Sequence, residues 1–180
     1  MLANLLREQT LPPRASVLDL CTGSGALAIC AAQRGARDVT AVDVSRRAVA
    51  TARLNARLNG VRVRALRGSL FEPVAGRRFD AIVTNPPYVP SEQALPTRGP
   101  ERAWDAGPDG RALLDQICSR APAHLRPGGV ILIVHSSVND VEATLAALRG
   151  GGLEAEVVLR RSGPLGPLMA GRRGHLVRRA

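Results

Sequence analysis

Two short motifs in this 180-residue chain carry side chains able to do chemistry. One is Asn85-Pro86-Pro87-Tyr88, which ends the apolar run FDAIVT. Proline fixes its backbone and removes an amide donor, so the carbonyls near Asn85 and Pro86 stay free to accept hydrogen bonds. The result is a rigid, acceptor-rich lip with an aromatic ring beside it. Such a lip suits a planar NH2 group conjugated to a carbonyl or a ring, whose nitrogen is poorly nucleophilic. The Asn85 side-chain oxygen and the Pro86 carbonyl can take the two N–H groups and turn the lone pair towards an electrophile, while Tyr88 packs on the planar group. A nitrogen that has gained a substituent becomes acidic and sheds its proton, so no strong base is needed. Catalysis comes from positioning and electrostatics.

The second motif is DLCTGSGALAI, from Asp19 to Ile29. Gly23 and Gly25 let the backbone turn tightly and approach a ligand, and the helix that follows aims its first amides at the same place. Taken alone, Gly-Ser-Gly after a strand fits an ordinary tight turn as well as a nucleotide site, and the third glycine of the G-x-G-x-x-G fingerprint is absent. Asp43 sharpens the reading, because a carboxylate ~20 residues on, at the next strand tip, can accept both hydroxyls of a ribose. Asp19 would serve a pyrophosphate poorly and a cation well. Adenosine carrying a sulfonium and an amino-acid tail fits the set: Asp19 faces the amino group, the glycine turn admits the chain, and Asp43 holds the ribose.

The elements that must position these motifs alternate. Ser16–Leu20 reads as a strand and GALAICAAQRG as a helix closed by Gly35. Val39–Asp43 is the next strand, and Ser45 caps the helix RRAVATARLNARLN, which stops at Gly60. There follow VRVRAL, the strand FDAIVT, a long loop, a helix from about Asp109 to Leu125, and the strand VILIVHS after a Pro127-Gly128-Gly129 turn. Val138–Leu148 is helical, and two further strands, EAEVVLR and GHLVRR, flank SGPLGPLMAG. Strands alternating with helices imply a mostly parallel sheet covered on both faces, with ligands outside the carboxyl ends of its strands. Residues 1–180 read as a single domain without repeats.

Composition bounds the partners. Every basic residue is arginine, 25 in all, giving a net charge of +10. They are scattered with no run longer than two, and aromatic residues make up only 2%, too few for a platform of stacked bases. Nucleic acid is therefore not the favoured partner, and solvated faces or ribosome-associated partners account for the charge. Three widely spaced cysteines, Cys21, Cys30 and Cys118, fit neither a zinc site nor a disulfide scaffold, so no metal is expected and a reducing compartment is. No apolar run reaches the ~20 residues that span a bilayer, and the N-terminus lacks the pattern of a signal peptide. The expectation is a cytoplasmic protein with no membrane partner.

With RGSLFEP (Arg67–Pro73) added to the glycine turn, Asp43 and the Asn-Pro-Pro-Tyr motif, the chain resembles class I S-adenosylmethionine-dependent methyltransferases over most of its length. That resemblance implies a Rossmann-like α/β fold: a mostly parallel seven-stranded sheet with an antiparallel C-terminal strand and helices on both faces. It implies a cofactor site made by Asp19, Cys21, Thr22, Gly23, Gly25, Asp43, Val44, Ser69, Leu70 and Asn85, with S-adenosylhomocysteine as product. Many relatives carry an acid where this chain has Ser69; a hydroxyl or the Leu70 backbone takes that place. Only 18 residues precede Asp19, where the family usually has a further cofactor-covering segment, so the chain reads as starting within that first helix.

The segment LPTRGPERAWDAGPDGRALLDQI (Leu95–Ile117) resembles the loop and helix after the same motif in the HemK/PrmC family of protein-(glutamine-N5) methyltransferases, especially its short branch. Asn85, Pro86, Pro87 and Tyr88 match its catalytic motif; Glu101-Arg102-Ala103-Trp104 and Gly107-Pro108-Asp109-Gly110 match its downstream pattern. The resemblance implies methylation of the glutamine in a Gly-Gly-Gln loop of a peptide-chain release factor, with Tyr88, Glu101, Arg102 and Trp104 walling the substrate. Short-branch relatives are also credited with lysine methylation, and some need a small zinc-binding activator subunit. The tail RRSGPLGPLMAGRRGHLVRR departs from that branch. The rivals are methylation of an exocyclic amine on RNA or DNA, and a binding subunit that keeps the fold without turnover.

Overall fold

The structure, a computed structural model, describes residues 2–8, 11–93, 95–96, 98–163 and 167–171. It falls into two compact units, Met1–Asn85 with Ala123–Val134, and Pro86–Pro122 with His135–Ala180.

The first unit is built on five parallel strands: β1 (Ser16–Leu20), β2 (Asp38–Asp43), β3 (Arg64–Arg67), β4 (Phe79–Thr84) and β5 (Leu125–Ile133), in the order β3-β2-β1-β4-β5. All five residues of β1 are buried, as the inner strand of a sheet covered on both faces must be. Among the described residues, the α-helices of this unit are α1 (Leu2–Glu8), α2 (Ala26–Gln33) and α3 (Arg46–Leu58). Helix α3 turns Val49, Ala52 and Ala56 inwards, and the Ser45 hydroxyl accepts the Ala48 N–H at 3.3 Å, the cap its sequence implied. Leu2 and Leu6 of α1 join the core formed by Val17, Ala28, Val39 and Val83.

Strand β1 lies between β2 and β4, and Leu20 is level with Val42 on one side and Thr84 on the other. The order of strands reverses there. The chain leaves the sheet at three neighbouring tips, and in such sheets this is where ligands bind.

Strand β5 differs from expectation. Pro127-Gly128-Gly129 is no separating turn but lies inside the strand, whose register against β4 shifts between Phe79 and Ala81. A Cβ on Gly129 would come within 2.9–3.2 Å of the carbonyl oxygens of Arg126, Phe79 and Asp80, so the irregularity needs glycine. Strand β3 starts at Arg64 rather than at Val61.

The second unit holds α4 (Ala112–Arg120), α5 (Val141–Gly150) and the short α6 (Pro167–Gly171). Helix α4 begins later than the expected Asp109, because Gly110 takes φ 69° and Asp109 accepts the Arg111 N–H at 2.9 Å in a local turn. Helix α5 likewise begins after a 3-10 turn, Ser137–Asn139, with Asp140 as its cap. The expected strand EAEVVLR does not form: residues 154–160 have no regular structure, and Val157, Val158 and Leu159 are exposed. Alternation makes a strand only where a neighbour supplies a ladder, and no described strand pairs with this segment. The other expected strand, GHLVRR, lies outside the described residues. No helix among the described residues is long and apolar enough to cross a membrane.

Candidate active site

Within the first unit the three strand tips bring most of the expected cofactor residues together. Asp19, the penultimate residue of β1, is fully buried. Its Oδ2 accepts from the Thr22 hydroxyl at 2.5 Å and from the Ala28 N–H at 3.0 Å, while its buried Oδ1 has no partner among the described residues. Burial pushes the Asp19 carboxyl up to about 7, and the Asp43 charge adds to this; the bonds from Thr22 and Ala28 pull the other way. A half-satisfied, desolvated carboxylate of this kind is what a cationic group would stabilise.

The turn after β1 runs through left-handed backbone at Cys21 (φ 55°), Gly23 (φ 54°) and Gly25 (φ 84°). The two glycines serve different ends. A Cβ on Gly25 would come 3.0 Å from Ala52, so this glycine lets α2 pack closely on α3, whereas a Cβ on Gly23 would point into open space. Burial, with Asp43 and Asp19 nearby, pushes the Cys21 thiol up to about 12, which leaves it protonated and unreactive at neutral pH.

Asp43 holds two turns at once. Its Oδ2 accepts the Gly23 N–H at 3.0 Å and its Oδ1 accepts the Ser45 N–H at 2.8 Å. Each oxygen keeps a second lone pair, through which a diol can still be received. The Asp43 carbonyl accepts the Gly68 N–H at 3.0 Å, bringing the Ser69-Leu70 segment to the same end of the sheet. Leu70 is itself left-handed, at φ 45°, and the Glu72 carboxylate folds back to accept the Ser69 N–H at 3.3 Å. Val44 takes the Arg67 Nε at 3.3 Å on its carbonyl.

Thr84, which sequence reasoning passed over, joins the tips of β4 and β1 by donating its hydroxyl to the Leu20 carbonyl at 3.0 Å. Asn85 follows it. Its side chain is exposed and makes no hydrogen bond with a described residue, in contrast to the buried strand that delivers it.

The Asn85–Pro86 bond is also where the chain passes into the second unit. Pro86 and Pro87 are buried there and Tyr88 is half-buried. The Val89 N–H donates to the Trp104 carbonyl at 2.8 Å, Ala106 returns a bond to Val89 at 3.0 Å, and Ser91 donates to the Gly107 carbonyl at 3.0 Å. This pairing lays the expected substrate segment alongside the residues after Tyr88. Trp104 and Arg102 are half-buried, and Glu101 is exposed within a 3-10 turn, Pro100–Ala103.

Beneath Tyr88 is an anchor that the sequence did not reveal. Asn139, 1% exposed, donates its side-chain amide to the Tyr88 carbonyl at 2.8 Å and to the Asp109 carbonyl at 3.2 Å. These two acceptors decide the orientation of its carboxamide. A Cβ on Gly110 would collide with both the Tyr88 carbonyl and the Asn139 amide. The nearly buried Arg111 then binds the carbonyls of Asn139 and Asp140, the Thr144 hydroxyl at 3.1 Å and the Asp115 carboxylate at 2.7 Å. With Asn139 51 positions after Tyr88, no local spacing announced this pair. His135, near the same region in sequence, bonds to the Ser136 carbonyl at 2.9 Å, and burial lowers its ring below the usual histidine range.

The family described as "Methyltransferase small domain" matches residues 1–98. A Methanocaldococcus jannaschii protein, named for protein N5-glutamine methylation, is 37% identical over 154 residues, covering 85% of this chain and 78% of that protein. The release factor glutamine methyltransferase of Bordetella pertussis is 43% identical over 152 residues, with 81% of this chain and 56% of its own length covered. The ribosomal protein uL3 glutamine methyltransferase of Bradyrhizobium diazoefficiens is 45% identical over 124 residues, with 64% and 39% covered. This chain therefore spans little more than half, or less, of those two relatives. Among solved structures, the ribosomal protein L11 methylase of Lactobacillus delbrueckii subsp. bulgaricus shares the fold at a TM-score of 0.69 and 24% identity, over 89% of this chain and 72% of that one. The Thermus thermophilus 16S rRNA N2 G1207 methyltransferase, solved with AdoMet and guanosine, matches at a TM-score of 0.60 and 28% identity, over 80% of this chain and 36% of that one. A family match to more than half of the chain, together with a relative covered over most of its length, gives the assignment: the chain belongs to the methyltransferase small domain family, among the S-adenosylmethionine-dependent protein N5-glutamine methyltransferases.

Proposed function

We propose that this protein methylates the side-chain amide nitrogen of glutamine in a cytoplasmic protein of the translation machinery, most directly a release factor presenting a Gly-Gly-Gln loop. The observation that carries this reading is the lip itself. An exposed Asn85 carboxamide stands at the end of a buried strand, two buried prolines follow it, and the carbonyl of Tyr88 is clamped by Asn139.

The residues at the strand tips fit S-adenosylmethionine. The unpartnered, buried Oδ1 of Asp19 suits the amino group of its tail, the open space beside Gly23 admits that tail, and the spare lone pairs of Asp43 suit the ribose hydroxyls. Cys21, Thr22, Val44, Ser69 and Leu70 line the remainder through backbone and side chain. When bound, the cofactor supplies an electrophilic methyl group.

The protein's own part is positional. The Asn85 side-chain oxygen and the Pro86 carbonyl accept the two N–H bonds of the substrate amide and set its lone pair, and Tyr88 packs on the amide plane. The nitrogen gives up one of those protons after it has gained the methyl, so no buried base is called for. Glu101, Arg102 and Trp104, held beside the motif by the Val89 pairing, receive the acceptor's neighbouring residues.

Mass spectrometry tests the assignment. The protein and S-adenosylmethionine are offered a folded release factor, ribosomal protein uL3, structured RNA and duplex DNA together, with and without a small activator subunit. One methyl on the loop glutamine, absent with Asn85→Ala, is the expected result. A methyl on the exocyclic amine of a base would overturn it in favour of the nucleic-acid reading, for which the likeness to the rRNA enzyme gives a reason.

A further inference from the structure

The first unit has a cavity at the opposite end of β2 from Asp43. It is about 580 Å³ and lies where the start of β2, the strand β3 and the later turns of α3 meet. Five of its lining residues are arginines, Arg37, Arg53, Arg57, Arg62 and Arg64, and all five are exposed. The lining holds one acid, Asp38. That carboxylate is already engaged, since its Oδ2 takes the Arg77 guanidinium at 2.7 Å and the Ser16 hydroxyl at 3.1 Å. Arg53 donates to the Ala65 carbonyl at 2.7 Å, which fixes one guanidinium at the rim with most of its N–H donors still to spare. The other four make no ion pair among the described residues.

A merely solvated face intersperses its charges. Here Arg53 and Arg57 stand one turn apart on α3, a like-charge pair that works against the helix, and Arg62 and Arg64, alternate residues where the chain enters β3, are both exposed and line the cavity. Positions four apart on a helix are about 6 Å apart and alternate residues of a strand about 7 Å, a step comparable to that between successive phosphates of a nucleic-acid strand. The floor is aliphatic, with Val39, Ala56 and Val63, and no ring among the described residues lines the cavity. Bases therefore have nothing to stack on, and recognition would fall on the backbone.

We propose that this cleft binds the sugar–phosphate backbone of structured RNA, without sequence preference, as a docking site about 17 Å along β2 from the carboxylate of Asp43. Guanidinium groups match phosphate in the planar, bidentate manner that lysine lacks. The choice of RNA over DNA rests on the function proposed above, because an acceptor of the translation machinery is met beside RNA. The cleft would hold the enzyme on such a particle while the strand tips act on protein.

The test measures anisotropy of a labelled RNA hairpin over a salt series and needs no turnover, so failure of the methyl-transfer reading would not affect it. Arg57→Gln, Arg62→Gln and Arg64→Gln combined should lower the slope of log K against log salt by about 2 to 3, at roughly 0.7–0.9 for each phosphate no longer neutralised. The corresponding lysine triple should lose far less. A control that removes as much charge elsewhere, Arg149→Gln with Arg160→Gln and Arg161→Gln, should leave the slope unchanged. Methylation of a free acceptor protein should be the same in the glutamine triple as in the parent, which also shows that the variant folds. The proposal is overturned if the control lowers the slope as much as the cleft triple, if RNA does not bind, or if duplex DNA or a polyglutamate peptide binds more tightly than the hairpin.

Discussion

The side-chain amide of Asn139 donates to the main-chain carbonyl of Tyr88 at 2.8 Å, and the same nitrogen reaches the Asp109 carbonyl at 3.2 Å. One buried carboxamide thus ties the end of the Asn-Pro-Pro-Tyr motif to the turn that starts α4, and Arg111 fixes the backbone that carries it. Removing the amide leaves two carbonyls short of a donor, at a cost of about 1–3 kcal/mol if they stay buried. Asn139→Ala should therefore lower kcat by at least ~10-fold, on the scale by which slight misplacement of a reacting group slows an enzyme. Calorimetric affinity for S-adenosylhomocysteine should not change, since Asp19 and Asp43 belong to the first unit. Equal losses in cofactor affinity and kcat would show that Asn139 only supports the fold.

Asp19 makes cofactor binding depend on pH. In the free protein its carboxyl is raised to about 7 by burial, so below that value a proton must leave before a cationic amino group can pair with it. Affinity for S-adenosylmethionine should rise with pH up to about 7 and level off above it, and calorimetry in buffers of different ionisation heat should detect a proton released at pH 6. Linkage gives the companion effect on the ligand-free fold. A folded carboxyl that holds its proton up to about 7, against the ordinary 3.8, makes stability fall as pH rises through that window. Asp19→Asn should raise the melting temperature of the ligand-free protein at pH 8, at ~2–4 °C per kcal/mol, while it abolishes tight cofactor binding. Affinity that does not vary between pH 5 and 8 would exclude the pairing.

Much of the first unit was legible because its signals are local. An apolar run that ends in a carboxylate and a glycine turn, Ser45 ahead of an amphipathic stretch, and a proline pair after FDAIVT each follow from a few adjacent residues, and each stands where expected. What stayed hidden depends on contacts distant in sequence. Pro127-Gly128-Gly129 has the composition of a turn, yet the neighbouring strand β4 holds it in a ladder as an irregularity. Glu154–Arg160 has the composition of a strand but finds no ladder among the described residues. The bond from Thr84 to Leu20 and the bond from Asn139 to Tyr88 span 64 and 51 residues, so neither could be read from spacing.

Two glycines with similar backbone angles should respond differently to alanine. Gly23 has φ 54° with open space where a Cβ would stand. Gly23→Ala should fold, with a loss of about 1 kcal/mol for left-handed backbone, and bind S-adenosylmethionine at least ~10-fold more weakly, because the new methyl occupies the space where the backbone meets the ligand. Gly110 has φ 69° and its Cβ would strike Tyr88 and Asn139. Gly110→Ala should lower the melting temperature well beyond the Gly23 variant and spare cofactor affinity in whatever fraction folds. The reverse ranking in thermal melts and titrations would contradict both assignments.

Asn85 separates chemistry from stability more cleanly than any other residue of the motif. Its side chain is exposed and bonded to no described residue, so Asn85→Ala should leave the protein within about 0.5 kcal/mol of the parent in stability. Cofactor affinity should change little, because the charged contacts proposed for it come from Asp19 and Asp43. Transfer should nevertheless fall by at least ~100-fold, the scale seen when a group that polarises or orients the reacting centre is removed. Single-turnover rates at saturating cofactor isolate that step. Asn85→Asp refines the test, since a carboxylate still accepts an N–H but brings a full negative charge to the lip. Partial activity in the aspartate variant, beside none in the alanine variant, would identify hydrogen-bond acceptance as the property that matters. Full activity in Asn85→Ala would remove the basis for reading this strand end as the place where the amide is held.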